Sequence, residues 1–132
     1  MKPLLSIIVT AHHEGLIAHK TMRSIERAVS LLRDSDISYE IIISIDRGDE
    51  ETIRYFSNYT ALPIAIHQWD HGDLAQSRNS AITKAHGRFI AFIDADDLMS
   101  ANWLRDSVQF LTAHSYGKYV AHSAYTIEFE GA

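Results

Sequence analysis

Apolar, β-branched runs alternate along the chain with segments whose apolar residues recur every three or four positions. The first pattern is typical of strands buried on both faces of a sheet, and the second of helices that pack on one. The second pattern is clearest where Met22, Ile25, Val29 and Leu32 share one helical face. Together the patterns predict strands at 4–10, 39–45, 62–67 and 89–93, a last extended segment at 119–129, and helices at about 16–33, 50–59, 74–86 and 102–114.

The alternation of strands and helices favours right-handed crossovers and a mainly parallel sheet covered on both faces. We therefore predict a three-layer α/β/α domain with a doubly wound sheet, whose first four strands lie in the order 3-2-1-4. This order brings the ends of the first and fourth strands together, where ligands bind in open α/β sheets. Gly87 is expected to end the third helix in a left-handed conformation.

Composition indicates a single ordinary domain over residues 1–132, with 46% apolar and 22% charged residues. A net charge of −5 without any basic block argues against nucleic acid or an anionic membrane as partner. The absence of cysteine excludes disulfides and thiolate metal sites. A strand in the first residues leaves no room for a signal peptide, and no apolar run reaches membrane-spanning length. We therefore expect a cytoplasmic protein.

Three carboxylates, Asp94, Asp96 and Asp97, directly follow the fourth predicted strand. Like charges this close repel one another unless a cation lies between them. Mg²⁺ or Mn²⁺, held by one or two carboxylates and shared with a phosphate, satisfies this arrangement. The alternative for Asp97 is that it and Ser100 begin the next helix as capping residues.

No GxGxxG or P-loop pattern follows the first strand, so a phosphate would need a metal, an arginine or a helix N-terminus. Arg78 lies on the predicted sheet-facing side of the third helix, where it would meet a carboxylate, reach an anion or extend past its neighbours to solvent. Asn79 beside it could cap, bond a loop or contact a ligand. Asp46 ends the second strand, the position of a residue that bonds a sugar or base, or else forms a turn before Gly48.

Four segments together resemble the family 2 glycosyltransferases, which are inverting enzymes with the GT-A fold and nucleotide-sugar donors. Ile45 and Arg47 stand where that family usually has Asp and Gly, and Ser77 and Ala81 replace its Ala and Gly. The segments that carry the resemblance are 6–11, 39–46, 74–81 and 87–97.

The resemblance implies that Asp94 contacts the ribose or the metal and that Asp96 coordinates the Mn²⁺ or Mg²⁺ that bridges the diphosphate. It implies a UDP-, GDP- or dTDP-sugar as donor and a sugar or lipid-linked sugar as acceptor. The residues expected to contact the donor are Thr10, Ala11, His12, Glu14, Asp46, Arg78, Asn79, Asp94 and Ala95.

Enzymes of that family are typically longer, and their second half carries the acceptor site and the carboxylate base. The remaining acids, Asp106, Glu128 and Glu130, have no good claim to that role. We therefore interpret the chain as the donor-binding half, with the C-terminal half truncated or absent. The alternatives are a non-catalytic nucleotide- or partner-binding module, and a receiver-like phosphotransfer domain that uses the Asp cluster.

Overall fold

A computed structural model describes residues 2–115 and 117–122 of the chain. Within those residues, four strands alternate with four α-helices, and one short 3-10 turn follows the first strand. The elements are β1 (Leu5–Ala11), the 3-10 turn (Gly15–Ile17), α1 (Ala18–Asp34), β2 (Tyr39–Asp46), α2 (Glu50–Ser57), β3 (Ala65–Trp69), α3 (Leu74–Ile82), β4 (Phe89–Asp94) and α4 (Trp103–Ala113).

The strands form one parallel sheet in the order β3-β2-β1-β4, which confirms the predicted order. β1 lies in the middle, with Leu5 opposite Tyr39 of β2 and Thr10 opposite Asp94 of β4. Because all strands are parallel, their carboxyl ends meet at one edge of the sheet. The β1–β4 seam at that edge is the predicted crevice.

One face of the sheet carries the larger part of the core. Ile7 of β1 and Ile43 of β2 point into it and are fully buried. They belong to one apolar cluster with Met22 of α1, Phe56 of α2 and Leu104 of α4. Burial on this scale makes the face the main source of stability, since apolar area removed from water is the dominant favourable contribution to folding.

The opposite face holds a much smaller cluster. Ile8, Ile42 and Ala81 are buried there, and Ala85 and Phe92 pack against them half-buried. Ala81 belongs to α3, so α3 packs on this face of the sheet. The predicted three layers are therefore present, with unequal cover on the two sides.

The prediction for the end of α3 was wrong. α3 ends at Ile82 rather than near residue 86, and Gly87 has no left-handed backbone. The segment after α3 is instead held against β1, where the Gly87 N–H donates to Ser6 Oγ at 2.8 Å just before β4 begins. A Cβ at Gly87 would lie 2.6 Å from the Ser6 backbone nitrogen, so glycine is needed here for close approach.

Two other predicted elements differ at their bounds. β3 begins at Ala65, three residues later than predicted, because its pairing with β2 starts where Ala65 faces Ile42. Residues 119–122 of the predicted last extended segment form no strand, and residues 123–129 lie outside the described residues.

Candidate functional site

The β1–β4 seam joins Thr10 to Asp94 directly. Thr10 Oγ1 donates a 2.6 Å hydrogen bond to Asp94 Oδ1, and the Ala95 N–H donates to the Thr10 carbonyl at 2.9 Å. Thr10, Ala11 and Ala95 are buried, whereas Asp94 is half-buried. The parallel register thus places the Asp94 carboxylate at the carboxyl ends of the strands, and the Thr10 bond fixes the position of its Oδ1.

Asp94, Asp96 and Asp97 form a carboxylate cluster in which one oxygen from each lies within 4.8 Å of the others. In the part of the chain that the structure describes, it is the one group of acids and histidines with metal-ligand spacing. Carboxylate oxygens are the ligands that Mg²⁺ and Mn²⁺ prefer, and such ions keep positions for phosphate oxygens. The donor set therefore fits a divalent hard cation.

Asp97 belongs to this cluster and does not cap the next helix. α4 begins after Asn102, which makes no side-chain capping bond. Partial burial, together with the negative charges of Asp96 and Asp94, raises the pKa of the Asp97 carboxyl. Three adjacent carboxylates in this loop therefore oppose one another's ionisation, which a bound cation would relieve.

Two buried hydroxyls of α1 hold the loop after β4. Thr21 Oγ1 donates to the Asp97 carbonyl at 2.7 Å, and Ser24 Oγ accepts from the Met99 N–H at 3.1 Å. We did not predict these anchors from the sequence. The available signal was two polar residues three positions apart on the apolar side of α1, next to Met22 and Ile25.

Arg78 projects from α3 to the same carboxylate. Its Nη2 lies 3.2 Å from Asp94 Oδ1, and its guanidinium carbon lies 5.6 Å from the centre of the Phe92 ring. Of the outcomes weighed from sequence, the structure shows contact with a carboxylate. Arg78 Nε is buried without a hydrogen-bond partner among the described residues. Asn79, the next residue, is exposed on the helix surface.

Asp46 is the last residue of β2, and its carboxylate accepts hydrogen bonds from the chain itself. Oδ1 accepts the His71 N–H at 2.7 Å and Oδ2 accepts the Asp73 N–H at 3.0 Å. Burial opposes ionisation of this carboxyl, but backbone N–H donors of His71, Asp73 and Gly72 outweigh it and lower the pKa of Asp46. Asp46 therefore holds the loop that leads from β3 into α3.

The loop after β1 is tied to the end of β2. His12 Nδ1 donates to the Asp46 carbonyl at 2.6 Å, and His13 Nε2 donates to the Arg47 carbonyl at 3.0 Å. The two imidazole rings stack with centroids 3.7 Å apart. Glu14 accepts the His12 N–H at 2.6 Å. These bonds fix the loop beside the seam, although none of them reaches the carboxylate cluster.

A cavity of about 550 Å³ opens elsewhere, between α1 and α2. Leu16, Tyr55 and Tyr59 are among its lining residues. Because it lies in the helical layer and not at the carboxylates, it is not part of the candidate site.

The amino-acid sequence of this chain is similar to those of known proteins. The family model described as glycosyl transferase family 2 matches residues 6–129. A curated relative, the putative teichuronic acid biosynthesis glycosyltransferase TuaG of Bacillus subtilis, is 27% identical over 117 residues, which is 86% of this chain and 44% of TuaG. The chain thus spans less than half the length of that relative.

Solved structures share the fold. Staphylococcus aureus TarS 1-349, in complex with UDP-GlcNAc, matches with a TM-score of 0.71 at 23% identity, over 87% of this chain and 32% of TarS. The mannosyltransferase PcManGT of Pyrobaculum calidifontis, in complex with GDP-Man and Mn²⁺, matches with a TM-score of 0.68 at 19% identity, over 84% of this chain and 33% of PcManGT. At such identities the likeness establishes the fold.

No helix in the described part of the chain combines the length and apolarity that a membrane crossing requires.

The four-stranded parallel sheet and its helices form an α/β fold that matches these GT-A neighbours. Because the family model covers nearly the whole sequence, the chain belongs to glycosyl transferase family 2.

Proposed function

We propose that this chain binds a nucleotide-diphosphate sugar through Mn²⁺ or Mg²⁺ held by Asp94 and Asp96, as the donor-binding part of an inverting glycosyltransferase. The carboxylate cluster at the end of β4 is the observation that carries the proposal. It lies at the β1–β4 seam, where doubly wound sheets bind ligands.

The chain's own residues have defined roles in this proposal. A bound divalent ion would stabilise the negative charge of the departing diphosphate. Thr10 holds Asp94 by its Oδ1. Arg78 provides N–H donors whose fork matches phosphate oxygens. The site as described therefore suits the leaving group of a sugar transfer.

The acceptor side requires a base that deprotonates the attacking hydroxyl. Asp106 is exposed on α4 and bonded to Arg105 Nε at 3.0 Å, so we do not assign it that role. Glu128 and Glu130 lie outside the described residues. The proposal for this chain therefore concerns donor binding first.

The complexes of the neighbours support a nucleotide sugar as donor. TarS binds UDP-GlcNAc, and PcManGT binds GDP-Man with Mn²⁺. We propose a UDP-, GDP- or dTDP-sugar for this chain and a sugar or lipid-linked sugar as acceptor. A non-catalytic binding module is not favoured, because a relative such as TuaG is itself named a glycosyltransferase.

Thermal unfolding with UDP, GDP and dTDP, each with and without Mn²⁺, tests donor binding. A ligand present at about one hundred times its Kd should raise Tm by roughly 5–10 °C, and only with the metal. Asp96→Asn should abolish the shift, whereas Asp106→Asn, the matched control on the surface of α4, should keep it. The absence of a shift with all three nucleotides would contradict the proposal.

A further inference from the structure

Arg78 and Thr10 share a single oxygen of Asp94. Thr10 Oγ1 donates to Oδ1 at 2.6 Å, and Arg78 Nη2 reaches the same atom at 3.2 Å. The Thr10 bond is fixed by the register of β1 and β4, in which these two residues face each other. The Arg78 bond is longer and comes from a flexible side chain that is 38% exposed. Of the two partners, Arg78 is therefore the one that can leave.

The guanidinium of Arg78 is incompletely bonded in this position. Its Nε is buried and has no hydrogen-bond partner among the described residues. A buried N–H without a partner is costly, and native proteins rarely keep one without a reason. Guanidinium N–H groups bind phosphate oxygens in pairs, so an anion beside Asp94 would supply the missing partner.

The positive charge of Arg78 also bears on metal binding. It offsets the charge of Asp94, while Asp96 and Asp97 make no ion pair within the described residues. A divalent cation that enters the cluster must approach the positive charge of Arg78 while that side chain is bonded to Asp94. Cations repel at such distances, so Arg78 in its observed position weakens binding of the metal alone.

We propose that Arg78 is an exchangeable counter-ion of Asp94, which leaves the carboxylate when the metal binds and turns to the diphosphate of the donor. The metal and the nucleotide then bind with positive cooperativity. The metal releases Arg78 from Asp94 so that it can bind the diphosphate, and the diphosphate keeps the positive charge of Arg78 away from the metal site. The proposal rests on the function proposed above and adds the coupling between its two ligands.

Mn²⁺ binding without nucleotide, measured by the EPR signal of the free ion, provides the first test. Arg78→Met keeps an unbranched stem over Phe92 and removes the charge, so Mn²⁺ alone should bind about two- to fivefold tighter. Arg88→Met is the matched control, because Arg88 lies 5.1 Å over the Phe89 ring at the other end of β4. It removes the same charge from the residue before β4, at the end of the strand away from the carboxylates, and should leave Mn²⁺ affinity unchanged.

UDP binding in saturating Mn²⁺, measured by calorimetry, provides the second test. Arg78→Met should weaken UDP binding by about tenfold or more, because a charge-assisted hydrogen bond is lost. Arg78→Lys keeps the charge without the fork and should leave Mn²⁺ affinity near wild type while it still weakens UDP. Circular dichroism and Tm confirm that each variant is folded.

The outcomes separate this inference from the proposed function. Unchanged or weaker Mn²⁺ binding in folded Arg78→Met overturns the exchange, even where wild type binds UDP normally. Tighter Mn²⁺ binding together with weaker UDP binding in that variant supports the exchange, whereas tighter Mn²⁺ binding with unchanged UDP binding overturns the contact of Arg78 with the diphosphate. If neither wild type nor Arg78→Met binds Mn²⁺ alone, the exchange is overturned, while the proposed function is decided separately by the thermal shifts with nucleotide and Mn²⁺ together.

Discussion

Asp46 shows how far a single residue can be interpreted from sequence. Its place at the end of a strand predicted exposure to a ligand, with a turn before Gly48 as the alternative. In the structure both oxygens accept backbone N–H groups of the next loop, from His71 and Asp73. The position along the strand was predictable, but the partners were not, because they come from a loop 25 and 27 residues away. Its contact with a donor base stays a prediction.

Asp46→Asn should lower the free energy of unfolding by about 1–3 kcal/mol at neutral pH, since one backbone N–H loses its acceptor. The lowered pKa of Asp46 means that its contribution is present above the ordinary value of 3.8 and is lost as the pH falls through the folded-state pKa. The difference between wild type and variant should therefore shrink in acid. Urea unfolding at pH 7 and pH 3 measures it.

Asp34→Asn is the control for that experiment, because Asp34 is exposed at the end of α1. It should change stability little at either pH. A difference between wild type and Asp46→Asn that is the same at both pH values would show that the charge of Asp46 is not what stabilises the loop.

At the scale of elements, periodicity predicted helices and strands best where burial is complete. Met22 and Leu32 of α1, predicted to face inward, are fully buried. The ends of α3 and β3 were predicted less well, because partners across the sheet determine them. Glu40 of β2 illustrates this for the segment between α3 and β4. Its Oε1 accepts hydrogen bonds from the His86 N–H and from the Ser6 hydroxyl, both at 2.6 Å. Local propensity carries no information on such bonds.

Gly87→Ala should destabilise the fold by about 1–3 kcal/mol, the usual cost of forcing extra atoms into a packed site. The added Cβ would meet backbone atoms of Leu5 and Ser6, which cannot turn aside. Urea unfolding measures the loss. Gly117→Ala is the matched control, because the atoms nearest to its Cβ would belong to the side chain of Tyr119, which can rotate. Equal stability of the two variants would contradict the role given to Gly87.

At the scale of the whole molecule, the site is assembled from distant parts of the sequence. Thr10 and Asp94 are 84 residues apart, and Arg78 joins them from a third element. The alternation of strands and helices was sufficient to predict that the first two would meet, because it implies the sheet order. The Arg78 contact was foreseen only as one of several outcomes, since the direction of a long side chain depends on local packing and charge.

The two faces of the sheet differ in how firmly they hold their helices. α1 buries eight residues, whereas α3 buries only Ser77 and Ala81. Helices with few buried apolar contacts open locally at a lower free energy than the core. Because α3 carries Arg78, the part of the site that is proposed to move lies on the weakly held helix.

Amide hydrogen exchange should therefore show faster exchange in α3 than in α1 or the central strands, although all are regular and hydrogen-bonded. UDP with Mn²⁺ should slow exchange in α3 more than in α1, because the ligands bind Arg78 and thereby stabilise the intact, hydrogen-bonded state of α3. Asp96→Asn should abolish that protection and leave the exchange rates of α1 unchanged. Equal protection of α1 and α3 without ligand would contradict the idea that the smaller cluster of Ile8, Ile42 and Ala81 holds its helix less firmly.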